Sequence, residues 1–198
     1  MSDRAAAGLD RLWTSGNLVA LARMLLAAAL LVLAFLGMPR AVAAVLVISL
    51  ACGIAGERLA AGGRLSRWSS WARLAGSACL PLAAFWLRPD LPHVEAVTFW
   101  SLVAAIAAPF AAGFIKFGAI AGPGARAAVI ASYLAGGAVA LVAAGGSMWP
   151  LRAATALLAA AALEEIAVMA LLPRPMPEVT SLPAALRLRR DRPADLEE

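Results

Sequence analysis

Residues 18–36 read LVALARMLLAAALLVLAFL, and this stretch decides the class of fold. Arg23 is its only charged residue. A helix needs about 20 mostly apolar residues to cross the hydrocarbon core of a bilayer, so we interpret the stretch as a membrane span. A cleaved signal peptide has a shorter apolar core of about 7–15 residues, so we expect this span to be retained.

The rest of the chain has the same apolar character. Hydrophobic residues make up 63% of the 198 and charged residues 15%, against about 45–50% and about 25% in soluble domains. Further apolar segments, separated by glycine and proline breaks, occupy residues 41–60, 71–87, 97–117, 127–144 and 151–172. The sequence therefore predicts an all-α, polytopic protein with six transmembrane helices. We expect one membrane domain over residues 1–172 and a cytoplasmic tail over residues 173–198.

Lysine and arginine set the expected orientation, because cytoplasmic loops hold the excess of these residues. The N-terminal region, the second and fourth connections and the tail are rich in them, whereas the other connections carry one each: Arg40, Arg88 and Arg152. We therefore expect both termini in the cytoplasm and the protein in the cell (inner) membrane. The net charge of +5 then has two interpretations. It attracts anionic headgroups or phosphorylated substrates, or it only sets the orientation of the protein in the membrane. No nucleic-acid motif is present.

Cysteine and histidine give no sign of a metal centre. Cys52 and Cys79 fall inside predicted spans, so we expect neither a disulfide framework nor a zinc site. His93 lies beside Pro92 in a short connection, where a solvated side chain is the simplest interpretation.

Three blocks, in order along the chain, carry a family resemblance. The first is TSGNLVALAR at residues 14–23, and the second is CGIAGERLAAGGRLSRWSSWARLAGS at residues 52–77. The third combines LEE at residues 163–165, LLPR at 171–174 and VTSL at 179–182. Together they resemble the CDP-alcohol phosphatidyltransferase family. Its members are six-helix membrane enzymes that move a phosphatidyl group from a CDP-activated lipid to an alcohol.

The second block shows which residues occupy the family's signature positions. The signature is D-x-x-D-G-x-x-A-R, then eight residues, then G-x-x-x-D-x-x-x-D. Aligned on SRW at residues 66–68, its four aspartate positions become Cys52, Ala55, Arg73 and Ser77, while Gly56 retains the signature glycine. An alternative frame that starts the D-G pair at Cys52 lacks the aspartates as well.

The spacing has a physical meaning, because residues three or four apart share one helix face. The resemblance implies that the four positions face one site, where carboxylates in the family hold Mg or Mn and one aspartate activates the acceptor hydroxyl. The side chains present here offer a hard cation no carboxylate. We therefore predict no metal, no cofactor and no family-type catalytic residue at these positions, as in a pseudoenzyme.

The resemblance implies substrate-binding roles for Gly56, Arg67, Arg73 and Lys116. One hypothesis is that the Arg73 guanidinium binds phosphate oxygens as a fixed cationic partner. The alternative is an ordinary arginine at the cytoplasmic interface. CDP-diacylglycerol or an anionic phospholipid is the expected partner, and the Ala- and Gly-rich helices permit a homodimer.

Other acidic residues have structural interpretations beside functional ones. Glu57, the nearest carboxylate, lies on a different helix face from Ala55 and is interpreted as a partner of a nearby arginine. Glu164 and Glu165 lie in an apolar helix, where carboxylates are costly, so at least one should face a polar interior or pair with an arginine.

The tail is expected to leave the membrane as a proline-rich linker. A short helix over residues 181–190 on the cytoplasmic leaflet and a frayed, solvated tail are both compatible with its composition.

Three functions stay open at this point. The first is a phosphatidyltransferase-like protein of phospholipid metabolism that no longer catalyses and binds lipid or a partner. The second is an active transferase that uses a divergent site. The third is a small transporter or membrane scaffold, which leaves the three ordered blocks unexplained.

Overall fold

The structure, a computed structural model, describes residues 15–60, 67–118, 126–173, 176, 179 and 181–190. Within these residues 88% are helical and no strand occurs. The prediction of an all-α protein is therefore confirmed for the described part of the chain.

The long helices follow the predicted apolar segments closely. The helices of the described residues are α1 Ser15–Phe35, α2 Pro39–Ala60, α3 Arg67–Leu87, α4 Leu91–Val94, α5 Ala96–Phe117, α6 Arg126–Ala143, α7 Trp149–Leu171 and α8 Leu182–Arg190. Helix α8 agrees with one of the two alternatives left open for the tail, the short helix. The four-residue α4 occupies a connection for which the sequence predicted no helix.

Three stretches are long and apolar enough to cross a membrane, namely Asn17–Phe35, Ala96–Phe117 and Trp149–Leu171. The described parts of the other long helices contain shorter apolar stretches, at Pro39–Ala55, Trp71–Leu87 and Ala127–Ala143. Membrane-spanning character is thus supported for three helices. The arrangement with six spans and the orientation of the termini stay predictions.

Glycines end two of the long helices in the same way. After α1, Gly37 has φ +66° and its N–H bonds Ala34 O, while the following N–H of Met38 bonds Leu33 O. After α6, Gly145 has φ +85° and the same two bonds occur. The N–H of Gly145 bonds Val142 O, and the N–H of Gly146 bonds Leu141 O. This left-handed cap satisfies terminal carbonyls that the helix leaves without partners. Both glycines lie at predicted breaks.

The chain forms two compact units, and the first comprises Met1–Pro89 and Val139–Gly146. In this unit α1 packs against both α2 and α3. Small side chains fill much of its interior, including Ala27, Ala72 and Ala83. Small residues let helices approach closely, which is the favoured packing inside a lipid bilayer.

The second unit comprises Asp90–Ala138 and Ser147–Glu198. Here α5 packs along α7, and α8 packs against α7. The predicted boundary after residue 172 thus falls between two helices that contact each other. Val168, Leu172, Val179 and Ala185 form one buried apolar cluster across that junction.

Candidate functional site

The four signature positions lie on α2 and α3, as the spacing predicted. Cys52 is half-buried and Ala55 is exposed in the C-terminal half of α2. Arg73 and Ser77 are both half-buried in the N-terminal half of α3. Because the members of each pair are three or four residues apart, each pair lies on one side of its own helix. That the two pairs form a single site stays a prediction.

Helix α1 holds α3 in place close to this position. The Cys79 thiol donates a hydrogen bond to the backbone oxygen of Ala27, at an Sγ–O distance of 3.6 Å. Ala72 and Ala83 are fully buried on the same helix. Arg73 directly follows Ala72, so its side chain leaves α3 about 100° around the axis from that buried residue. The orientation of Arg73 is therefore set by packing of its own helix.

The donor atoms at the four positions do not fit the divalent cation of the family. Mg²⁺ and Mn²⁺ select carboxylate, carbonyl and water oxygens. Ala55 has no donor atom, Arg73 carries a positive charge, and Cys52 offers a soft sulfur. Among the described residues no group of three or more His, Cys, Asp or Glu side chains is placed to hold a metal ion. We derive no chemical step through a metal here.

Two of the four proposed substrate-binding residues fall at the edge of the described part. Gly56 lies in the C-terminal part of α2 and Arg67 begins α3. The side chain of Arg67, like that of Glu57, lies outside the described residues, and the surroundings of Gly56 lie outside them too. Between Arg73 and Ser77, a Cβ atom added at Gly76 would meet no atom within 4 Å. A side chain's first carbon atom would therefore fit at Gly76, three residues after Arg73.

Lys116 is engaged at the end of another helix. Its ammonium donates to the backbone oxygens of Met169 and Ala170, at 2.7 and 2.8 Å. These oxygens belong to the last turn of α7, where carbonyls lack partners inside the helix. A cation at this position also interacts favourably with the partial negative charge at the C-terminal end of the helix dipole. The structure thus gives Lys116 a structural role, while its predicted substrate-binding role stays untested.

Glu164 is also occupied, at the start of the tail helix. Its Oε1 accepts a hydrogen bond of 3.2 Å from the backbone N–H of Leu182, the first residue of α8. A carboxylate at a helix N-terminus satisfies a free donor and complements the dipole. Glu165 is buried, with 8% of its surface exposed. Glu164 thus has a backbone N–H as a partner, which differs from the arginine that the sequence led us to expect.

An ion pair that the sequence reasoning missed lies at the opposite end of α5 and α7. Arg152 forms a salt bridge with Glu95, and its Nε donates to Glu95 Oε2 at 3.1 Å. The Thr98 hydroxyl donates to the same carboxylate at 3.3 Å. The hydrogen bond from Arg152 lowers the pKa of Glu95; charge attraction and Thr98 act in the same direction, and burial opposes them.

These two polar contacts show that α5 and α7 run parallel. Glu95 meets Arg152 where both helices begin, and Lys116 meets Met169 and Ala170 where both end. From Glu95 to Lys116 the chain rises about 31 Å at the helical pitch, close to the thickness of about 30 Å of a hydrocarbon core. The spacing of the two contacts thus matches the thickness of a hydrocarbon core. Opposite charges at matching ends of two predicted spans were the available sequence signal.

Comparisons with known proteins do not extend this picture. A scan against protein-family models found no match. Searches of curated proteins and of solved structures found none either. The resemblance to CDP-alcohol phosphatidyltransferases therefore rests on the residues of the three sequence blocks and stays a prediction.

Proposed function

We propose that this chain is a six-helix protein of the cell (inner) membrane, related to CDP-alcohol phosphatidyltransferases, that binds a phosphate-bearing lipid without turning it over. The ordered blocks support the relation, because they run from the first helix to the tail. The long apolar helices support the membrane placement. Loss of turnover follows from the residue types at the four signature positions.

The single observation that carries the proposal is the replacement of all four signature aspartates. A diphosphate is cleaved in this family with divalent metal held by carboxylates, and these positions hold Cys52, Ala55, Arg73 and Ser77. Arg73 in particular places a positive charge where the metal would otherwise lie. Two cations at one point repel each other, so the substitution removes the site's affinity for metal as well as its ligands.

The same substitution supports retained lipid binding. A guanidinium binds phosphate oxygens through a planar set of N–H donors and needs no metal. Arg73 interacts with another group of the chain, and its five N–H donors allow a phosphate to be bound in addition. The absence of a side chain at Gly76, where an added Cβ would meet no atom within 4 Å, supports close approach of a ligand to α3 at that point. CDP-diacylglycerol or an anionic phospholipid is the proposed ligand.

The experiment for turnover measures CMP release. Purified protein in lipid nanodiscs is incubated with CDP-diacylglycerol, Mg²⁺ or Mn²⁺, and a panel of alcohol acceptors that includes glycerol 3-phosphate and inositol phosphate. We expect no CMP above that from empty nanodiscs. Metal-dependent release of CMP would show an active transferase with a divergent site and would contradict the proposal.

The experiment for binding measures how much a ligand raises the unfolding midpoint of the protein. CDP-diacylglycerol is expected to raise the unfolding midpoint of the unmodified chain, because a ligand that binds the folded state stabilises it. Arg73→Ala should remove this increase, and Arg73→Lys should weaken it by removing the bidentate donor set. Arg40→Ala, at the start of α2, is the matched control and should keep it. No increase in the unmodified chain would favour a transporter or scaffold.

A further inference from the structure

The second half of α8 combines solvent exposure, positive charge and apolar surface. Residues 186–190 read LRLRR, and every one of them is exposed. The helix contains no acidic residue, and its basic residues are Arg187, Arg189 and Arg190. Leu186 and Leu188 add apolar surface between them, with 51% and 37% of their surface exposed.

The first half of the same helix is fixed to α7. Ala185 is buried in the apolar cluster with Val168 and Leu172, and Leu182 packs against that cluster. The Glu164 carboxylate accepts a hydrogen bond from the N–H of Leu182. The helix is therefore anchored at its N-terminal end, and the arginine-bearing end projects from the anchor.

The anchor sets the depth of α8 relative to the membrane. Glu164 lies seven residues before Leu171, where α7 ends, which corresponds to about 10 Å along the helix axis. Helix α7 as a whole is about 34 Å long, slightly longer than a hydrocarbon core of about 30 Å. Helix α8 therefore starts beside the last two turns of α7, within about 10 Å of the interface at which α7 ends.

We propose that residues 186–190 of α8 bind the anionic surface of the membrane that α7 enters. Arginine guanidinium groups bind lipid phosphates, and the two leucines insert between headgroups, as in other interfacial helices. Lys116 lies at the same end of α7 and adds to the positive charge there. The inference rests on the membrane placement of α7, and it is independent of the relation to phosphatidyltransferases and of Arg73.

The test places a reporter on α8 in full-length protein. Leu188→Cys is introduced together with Cys52→Ser, since Cys79 is buried, and an environment-sensitive fluorophore is attached. The protein is reconstituted in nanodiscs of phosphatidylcholine alone or with phosphatidylglycerol. Emission and quenching by acrylamide are recorded, because a neutral quencher is not repelled by the anionic surface.

We expect a blue-shifted emission and at least about twofold weaker quenching with phosphatidylglycerol, because each arginine near an anionic surface favours the bound state about fivefold. High salt should reduce the difference by screening. Arg187→Gln, Arg189→Gln and Arg190→Gln combined should abolish it, and the matched triple Lys variant should keep it. The salt series on the unmodified arginines serves as a second measurement where the Gln variant fails to fold.

Equal quenching in the two lipids would overturn the proposal, whether quenching is strong, as for a solvated tail, or weak, as for a helix covered by protein. A lipid difference that survives both salt and the Gln substitutions would overturn it too. CMP release and protection by CDP-diacylglycerol depend on α2 and α3, so neither result changes with this one.

Discussion

Arg152 of α7 forms a salt bridge with Glu95, which immediately precedes α5. The two residues are 57 positions apart in the sequence, yet they join the beginnings of two parallel helices. Arg152 also lies over the ring of Trp149, at 5.1 Å from its centroid. Trp149 and Trp100 are exposed near the same end, as tryptophans are at membrane interfaces. This end of the second unit therefore has side chains of the kind found at membrane interfaces.

This pair predicts a loss of stability in acid. Because Arg152 lowers the pKa of Glu95, the folded state binds this proton less readily than the unfolded chain does. The contribution is complete above the ordinary value of 4.5 and is lost as the pH falls through the lowered pKa. Unfolding midpoints in detergent between about pH 6 and about pH 3 should therefore fall more in the unmodified chain than in Glu95→Gln.

Salt provides the control for that prediction, because the pair is partly exposed and its attraction is screened. High salt should reduce the difference between the two proteins at neutral pH. An identical pH profile for Glu95→Gln and the unmodified chain would show that this carboxylate does not contribute.

Lys116→Gln should destabilise the end of α7. The substitution removes charged donors from Met169 O and Ala170 O, and hydrogen bonds of this kind contribute about 1.5–3 kcal/mol; solvent exposure of Lys116 reduces the expected loss to about 1 kcal/mol. Hydrogen exchange at residues 168–172 should rise. Lys116→Arg keeps charge and donors and should lose less. Unchanged exchange together with weaker CDP-diacylglycerol binding would assign Lys116 to the ligand instead.

Glu164→Ala should free α8 from α7. Loss of the acceptor for the Leu182 N–H costs about 0.5–2 kcal/mol, as for other helix caps. Trypsin cleavage at Arg187, Arg189 and Arg190 should become faster in the variant. Glu164→Gln retains an oxygen acceptor and should be intermediate. The neighbouring exposed Leu163→Ala is the control, and cleavage as fast there as in Glu164→Ala would exclude a specific anchor.

Thr155 predicts a stabilising substitution. Its hydroxyl is buried in α7, and among the described residues it has no hydrogen-bond partner. A buried polar group without a partner lowers stability, so Thr155→Val should raise the free energy of unfolding by about 0.5–1 kcal/mol. Thr155→Ser keeps the hydroxyl and loses a methyl group, so it should not raise the free energy of unfolding. A lower midpoint for Thr155→Val would reveal a partner of the hydroxyl.

The helices were predictable because apolar length and glycine breaks act locally. The predicted segments 41–60 and 151–172 agree with α2 and α7 to within two residues at each end. Gly37 and Gly145 end their helices where the sequence placed breaks, since their positive φ is costly for other residues. The short α4 was not predictable, because four residues beginning Leu-Pro carry no periodic signal.

The contacts between helices were not predictable in the same way. Hydrophobic segments show where helices lie but not which helices are neighbours, so neither the Lys116 contact with α7 nor the Glu95–Arg152 pair followed from periodicity. For the candidate site, the helical placement of Cys52, Ala55, Arg73 and Ser77 was predicted and is found. The predicted loss of metal affinity at these positions depends on residue chemistry, and a binding measurement tests it.

Titration with Mn²⁺ followed by electron paramagnetic resonance tests the central claim most directly, because it needs no knowledge of the acceptor alcohol. Protein in nanodiscs that contain CDP-diacylglycerol is compared with empty nanodiscs of the same lipid. We predict the same free Mn²⁺ in both samples at every concentration. Saturable binding of one or two Mn²⁺ ions per chain, beyond that of the lipid, would contradict the account.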